Sequence, residues 1–385
     1  MSIYTSIETK EQLDLFYQKN KDTAWLGFDT EFVGEKRFET LLCLIQVVTS
    51  EGVYIIDPLV INDISPFLTL LEKQDILKIT HAGENDYRVF YNSYGILPKN
   101  AFDTQIAAGF IGYSYPISFV KLVERELGMV LDKTYTVADW ESRPLNQDQI
   151  LYALNDVIPL PKLWQQLDKK VKELERTDWL KEELMKMEDV SAYIKDPVGD
   201  AIYNPLIRTL KTQKQVFLIR LNQWRYSEAK RKNYSLDMIL PAKWIATIVK
   251  QIDSGKKAML NNRVLPKWIA ETYWEKLSEM YKTPATAQEL ELIKKIPQIH
   301  SVDTKQQLDA EMLYLLIKYK CFDSRIAPEL VINKSDLSYS RPDDLFPEHD
   351  SNWRKAFLGY EMVNWLDQKK NLQLTFETDK IIVTG

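Results

Sequence analysis

From about residue 24 to residue 104, five short runs rich in Val, Ile, Leu and Phe follow one another: TAWLGFDTEFV, LLCLIQVVTS, GVYIIDPL, ILKITHAG and AFDTQ. Runs of this length, bounded by polar and turn-forming residues, read as strands. The first three are joined by short polar connections, as hairpins are. The last two are separated by the helical stretches INDISPFLTLLEKQ and ENDYRVFYNSYG, as crossover units are. The pattern predicts a mixed five-stranded sheet with flanking helices. After about residue 104 the strand signal stops, and amphipathic helical patterns run from SFVKLVERELG and NQDQILYALND to WLKEELMKM. The stretch EDVSAYIKDPVGDAIYNPL, 188–206, mixes Pro, Gly and Asp and is the expected linker. Beyond it the chain reads all-helical.

With 385 residues, 45% hydrophobic and 27% charged, the chain suffices for two or three globular domains. Its longest apolar runs, such as LLCLIQVV, fall far short of the roughly 20 residues of a membrane span. The polar start MSIYTSIETKEQ lacks the basic and apolar regions of a signal peptide. A cytoplasmic protein with no membrane partner is expected. Cys43 and Cys321 lie too far apart to support a disulfide framework or a thiolate zinc site. The net charge of −5 conceals two opposed halves: residues 1–200 carry 21 Lys+Arg against 33 Asp+Glu, or −12, and residues 201–385 carry 29 against 22, or +7. Residues 201–250 hold ten basic residues and two acidic ones. Such a block suits phosphate binding, with a solvated helix face as the plain alternative.

Within the first strand, Asp29 and Glu31 stand two positions apart and project to one face with Gly27, while Leu26, Phe28, Thr30 and Phe32 point the other way. Two like charges in a partly buried site repel unless a cation shares them. The strand supplies no basic residue, so a metal is the economical partner. The competing reading is a pair of solvent-facing carboxylates on an edge strand. Further carboxylates stand in HAGENDYRVF, where Asp86 opens a helix and an N-terminal capping role is the alternative. Another stands in YALND, where a spacing of four brings Tyr152 and Asp156 onto one helical face. Packing explains Asp156 poorly, since it lies among Leu151, Leu154 and Val157.

At these residues the sequence resembles the ribonuclease D branch of the DEDD 3′→5′ exonucleases, in the tyrosine-containing subclass. DTEF at 29–32, HAGENDYRVF at 81–90 and the Y-x-x-x-D of Tyr152 and Asp156 match its three motifs in order. LIQ at 44–46, IDPL at 56–59, FDTQI at 102–106 and LDKTYTVADWESRPLNQDQILYAL match its connecting stretches. The resemblance implies an α/β RNase H-like fold and two divalent ions, Mg²⁺ or Mn²⁺. Asp29, Glu31, Asp86 and Asp156 are the implied ligands and, with Tyr152, the implied catalytic residues. It further implies release of 5′-mononucleotides from RNA with a free 3′ end, tRNA precursors included, and no small-molecule cofactor. Hard oxygen donors suit such ions, and a pair roughly 4 Å apart can activate water and stabilise the leaving 3′ oxygen. With an ordinary pKa near 10, Tyr152 is expected to orient the water rather than to deprotonate it. The subclass with His in this motif does not fit, because His81, His300 and His349 all lie outside the helix of Asp156.

Several neighbours receive structural readings. Pro159 and Pro161 should kink the helix just beyond Asp156. Asp103 reads as a strand-end Asp, Gln46 as a satisfied core amide, and Phe32 and Phe38 as core residues with base stacking as the alternative. In the helical half, TQKQVFLIRLNQWRYSEAKRKNYSLDMILPAKWIATIVKQ resembles the opening of an HRDC domain, a small helical nucleic-acid-binding module. A more diverged copy runs through IAPELVINKSDLSYS and NWRKAFLGYEM. The expected layout is an exonuclease domain over 1–200, an HRDC domain over 207–292 and a second, all-α HRDC-like domain over 296–385. Arg225, Lys230, Arg231 and Lys232 are the candidate phosphate contacts, with Phe32 as a candidate base contact. The acidic half is expected to cut and the basic half to supply salt-dependent affinity. Two alternatives stay open at this point: a DNA-trimming exonuclease of the same fold, and a catalytically silent binding protein.

Overall fold

The segment Thr5–Ile7 forms a strand, β1, that the polar start of the sequence conceals, because three residues with only Ile7 buried show no alternation. Its pairing is tertiary: it runs parallel to β4, with Thr5 opposite Tyr54 and Ile7 opposite Ile56. The computed structural model describes residues 3–131, 138–296, 304–332, 352–359, 373–376 and 381–384. It divides into two compact units, one of residues 1–32, 42–193 and 301–385, the other of residues 33–41 and 194–300.

In the first unit β1 is followed by α1 (Lys10–Asn20), β2 (Trp25–Val33), β3 (Leu41–Thr49), β4 (Gly52–Ile56), α2 (Ser65–Glu72), β5 (Leu77–Thr80), α3 (Glu84–Tyr94) and β6 (Ala101–Asp103). The five strands read from the sequence are all present, and β1 makes the sheet six-stranded rather than five-stranded, in the order β1-β4-β3-β2-β5-β6. It is mixed: β3 runs antiparallel to β4, while β2, β5 and β6 run parallel. β2 therefore lies in the interior of the sheet, which rules out the edge-strand reading of Asp29 and Glu31.

The two faces of β2 meet different layers. Phe28 is fully buried, with ring centroids 6.3 Å from Phe67 of α2 and 6.4 and 5.9 Å from Tyr87 and Phe90 of α3. Burying one such ring stabilises the fold by about 1.5–3 kcal/mol. On the other face Gly27 is pressed so closely that a Cβ there would sit 2.8 Å from Val48 Cγ1 and 3.3 Å from Leu160 Cδ1. Only glycine permits this approach.

The helices α4 (Thr104–Phe110), α5 (Phe119–Leu127), α6 (Gln147–Val157), α7 (Leu160–Glu173) and α8 (Thr177–Met185) complete the α/β layers. α6 begins with a capping box in which Asn146 and Gln149 serve each other's backbone N–H groups at 2.9 Å. It ends before Pro159, and α7 starts at Leu160 with Pro161 in its first turn. The prolines thus break the helix in two, a stronger effect than the expected kink.

The sequence assigns 296–385 to a body of its own, yet the helices Thr304–Asp323 and Asn352–Leu358 share the core of the sheet-bearing unit. Leu313, Ile317 and Cys321 of the helix Thr304–Asp323, and Trp353 and Phe357 of the helix Asn352–Leu358, are buried in that cluster. Trp353 lies 4.9 Å from Phe110, and Arg354 pairs with Glu183 of α8 at 2.9 Å. Gln373–Phe376 and Ile381–Thr384 form an antiparallel strand pair, which corrects the all-helical reading of this stretch. Most of the IAPELVINKSDLSYS and NWRKAFLGYEM ends, residues 333–340 and 360–362, lie outside the described residues, as does DKTYTV at 132–137.

The second unit is helical: α9 (Pro197–Ile202), α10 (Thr212–Lys232), α11 (Leu236–Ile239), α12 (Ala242–Gln251), α13 (Lys256–Leu260), α14 (Lys267–Lys282) and α15 (Ala287–Lys294). α10 is its spine, with Phe217, Leu218, Ile219 and Leu221 fully buried, and it ends on Asn233 in the left-handed conformation. The Asn233 side-chain oxygen accepts from the backbone of Phe38 and Glu39 at 3.2 and 3.0 Å, and Phe38 packs edge-on against Tyr226 at 4.9 Å. Phe38 is thus a core residue of this unit. No helix among the described residues is long and apolar enough to cross a membrane.

Candidate active site

Two elements deliver three carboxylates to one place in the first unit. Asp29 and Glu31 come from the C-terminal half of β2, and Asp156 comes from the last turn of α6, just before the proline break. Each offers an oxygen within 4.8 Å of the others. All three keep partial solvent access. Four residues back along α6, Tyr152 stands beside Asp156, near enough for each to act on the other's titration, and its ring lies 6.1 Å from Trp140.

Asp86 arrives from the opposite face. It sits in the first turn of α3, buried, and accepts a short hydrogen bond from the hydroxyl of Thr30. Gly83 makes this turn possible, since a Cβ there would lie 2.5 Å from Thr80 Oγ1. Asp86 is near enough for its charge to act on Glu31 and to feel that of Asp29, but it is not one of the three residues whose oxygens cluster. Thr30 was not singled out in the sequence; the alternation that turns it away from Asp29 is what aims it at Asp86.

Burial and mutual repulsion set the electrostatics. Desolvation, followed by the charge of Asp156, pushes the Asp29 carboxyl well above the usual carboxylate range. Desolvation and the neighbouring Asp29, Asp156 and Asp86 raise Glu31 to about 9. Asp86 is raised by desolvation and Asp29. Asp156 is raised by desolvation to about 7, against the pull of the neighbouring Tyr152 hydroxyl. Desolvation, then the Asp156 charge, pushes the Tyr152 phenol up as well. Among the described residues no Lys or Arg pairs with these carboxylates, so the cluster is a concentration of hard oxygen donors that a cation would relieve.

Residues flanking the motifs turn out to be scaffolding. Asp103 caps α4, accepting from Gln105 N and Ile106 N at 2.8 and 3.1 Å and from Gly83 N at 2.8 Å, as its strand-end reading expects. Arg143 joins the loop before α6 to the sheet: it pairs with Asp57 at 2.5 Å and donates to Cys43 O at 2.7 Å. That clamp explains why IDPL and the WESRP stretch accompany the motifs, and the sequence carried no signal of it beyond an Asp at the end of an apolar run. His81 is engaged by Thr104 Oγ1 and Ile117 O at 2.9 and 3.0 Å. Phe32 packs partly buried against the core. Gln46 is a core amide, but the expected satisfaction is absent: neither side-chain atom has a partner among the described residues.

In the second unit Arg225 departs from its expected role. Its guanidinium is buried, donating to Leu240 O at 2.6 Å and Asp237 at 2.5 Å, so it holds α10 to the α11 turn and is not offered to phosphates. Lys230, Arg231 and Lys232 are exposed at the C-terminal turn of α10, and Glu228 pairs with Arg231 at 2.7 Å and Lys232 at 2.9 Å.

A family model described as 3'-5' exonuclease matches residues 4–172. Ribonuclease D of Sphingobium indicum is 30% identical over 344 residues, which cover 88% of this chain and 87% of that protein. The chain belongs to the ribonuclease D family. Ribonuclease D of Zymomonas mobilis is 27% identical, covering 100% of this chain and 99% of that protein. The crystal structure of Escherichia coli RNase D superposes with a TM-score of 0.80 at 24% identity, covering 96% of this chain and 99% of that one, and so shares its fold. The chain is accordingly a 3′→5′ exoribonuclease, a hydrolase of the RNase H-like exonuclease fold. Exonucleases of this type use divalent metals, and the acidic cluster is where the chain can hold them.

Proposed function

We propose that this ribonuclease D removes 5′-mononucleotides one at a time from RNA with a free 3′ end. Two divalent ions, Mg²⁺ or Mn²⁺, would be held by Asp29, Glu31, Asp86 and Asp156, with tRNA precursors among the substrates. The observation that carries this reading is the meeting of three carboxylates within 4.8 Å, with the Tyr152 phenol beside one of them. The donor set fits such ions: every candidate ligand is a carboxylate oxygen, and their raised pKa values mark a site with uncompensated negative charge. Bound there, the ions would neutralise the phosphoryl oxygens, lower the pKa of the attacking water and stabilise the leaving 3′ oxygen.

The chain's own residues supply position. Tyr152 keeps its proton at neutral pH, because desolvation and Asp156 hold its pKa above the ordinary value. It therefore acts as a donor that orients the attacking water and Asp156, as the sequence reading prefers, and not as a base. Tyr152→Phe is expected to lower kcat about 10²-fold while the half-saturating Mg²⁺ concentration stays put. A matching rise in that concentration would instead make Tyr152 part of the ion site.

The second unit would contribute RNA affinity as an HRDC domain over 207–292, whereas the helices Thr304–Asp323 and Asn352–Leu358 of the diverged copy pack in the first unit. The second unit's exposed basic turn, Lys230, Arg231 and Lys232, supports this role. Replacing all three with Ala should weaken single-stranded RNA binding and flatten its salt dependence by about 0.7 in log–log slope for each phosphate no longer neutralised. An unchanged slope would remove these residues from the interface. Escherichia coli RNase D is an exoribonuclease involved in structured RNA processing, so the direct experiment on the present chain uses a 3′-extended tRNA. Incubated with Mg²⁺, it should shorten nucleotide by nucleotide and stop with chelator, and a DNA strand of the same sequence should be spared. Equal loss from both strands would favour a nuclease without sugar preference.

A further inference from the structure

Gln46 is fully buried in β3, and neither its Nε2 nor its Oε1 has a hydrogen-bond partner among the described residues. Its strand neighbours Leu44, Ile45, Val47 and Val48 are apolar and buried, so an apolar side chain would suit the core better. A buried amide left unpaired is destabilising, and its presence calls for a cause.

The cause lies on the neighbouring strand. β2 and β3 are adjacent, and the seven residues between them, 34–40, are too few for a parallel crossover, so the two strands run antiparallel. Gly27 and Val48 touch on the face that meets α7. Stepping two residues from Gly27 reaches Asp29, and stepping two residues back from Val48 reaches Gln46, which makes Asp29 and Gln46 cross-strand neighbours on that same face. Val157, next to Asp156, packs there too, in one cluster with Val48 and Leu160.

We propose that Gln46 is a positioning residue for Asp29: its amide donates a hydrogen bond to the Asp29 carboxylate when that group holds a cation, fixing the orientation of the ligand oxygens. The inference rests on the divalent-ion reading above. An ionised carboxylate has about four acceptor positions, and a cation uses only one or two. Gln46 is the side-chain donor at hand for the rest. The amide thus carries a stability cost in the ion-free protein that is recovered when the ions bind, as hydrogen bonds to metal ligands generally raise affinity and order.

The test is Gln46→Met, which keeps the length and removes the polar atoms, with Gln46→Leu as a second apolar variant. In the full-length, ion-free protein the Met variant should melt about 2–4 °C higher than wild type. Its half-saturating Mg²⁺ concentration should rise roughly 10-fold, read both from the Mg²⁺-induced shift in melting temperature and from RNA trimming. A lower ion-free melting temperature in both variants would show that the amide is structurally satisfied and overturn the proposal. So would an unchanged Mg²⁺ midpoint. If wild type itself shows no melting shift with Mg²⁺ or Mn²⁺, the divalent-ion reading fails before Gln46 is in question.

Discussion

Asp29→Asn should abolish 3′-end trimming and at the same time raise the melting temperature of the ion-free protein. Asp29 is the residue shared by most of the interactions in the cluster: its charge raises the pKa of Glu31 and of Asp86, and its own is raised by burial and by Asp156. An amide of the same shape removes that repulsion without opening a cavity. It also removes one charged ligand from the place where negative charge must be neutralised during phosphodiester cleavage, so the rate should fall by at least about 10²–10³-fold. RNA binding at low salt, which the proposed basic turn at Lys230, Arg231 and Lys232 would supply, should stay nearly intact. Residual activity within about 10-fold of wild type would contradict the ion-site assignment. A lower melting temperature would contradict the electrostatic account.

Chelation should stop trimming completely and leave a protein whose stability falls as the pH rises. The sign follows from the site. Glu31 near 9 and Asp156 near 7 in the folded state compare with about 4 for both when unfolded, so between pH 4 and 9 the folded chain binds more protons. Stability is therefore fully present below about pH 4 and is lost progressively as the pH climbs through 7 toward 9. The ion-free melting temperature should drop by on the order of 5 °C from about pH 6 to about pH 8.5. Millimolar Mg²⁺ should reverse the drop, with a larger stabilisation at about pH 8 than at about pH 6, because ions compete with protons for the same oxygens. Scanning calorimetry at the two pH values, with and without Mg²⁺, measures this. An ion-free melting temperature that increases with pH would mean the cluster is compensated by other groups.

Much of the site was legible because carboxylate chemistry and strand alternation are both local. Asp29 and Glu31 must share a face whatever the fold, and Tyr152 and Asp156 must share a helical face, so an apolar setting made each pair anomalous before any contact was known. Asp103 as a strand-end residue follows from the same local rules, and so does a disturbance at Pro159 and Pro161, although a kink was expected where the helix breaks. What was missed is non-local. β1 is three residues long and exists through its pairing with β4. Arg225 looked like a phosphate contact because it sits in a basic run, yet the turn at Asp237 draws it inward. Truncation near residue 205 would have been the natural way to separate cutting from binding. It would also strip Trp353, Phe357 and Cys321 from the core that holds α4 and α8, so point substitutions are the cleaner separation.

The residues themselves determined which side chains are the candidates for the chemistry, since the types of donor and their spacing along strand and helix are properties of the covalent chain. Only the tertiary structure decided that β2 is interior, that Asp86 approaches the cluster from the other face through Thr30, and that Gln46 lies unpaired on the strand beside Asp29. Those facts depend on which strands pair and how closely helices approach the sheet, and that is set by packing between residues far apart in sequence.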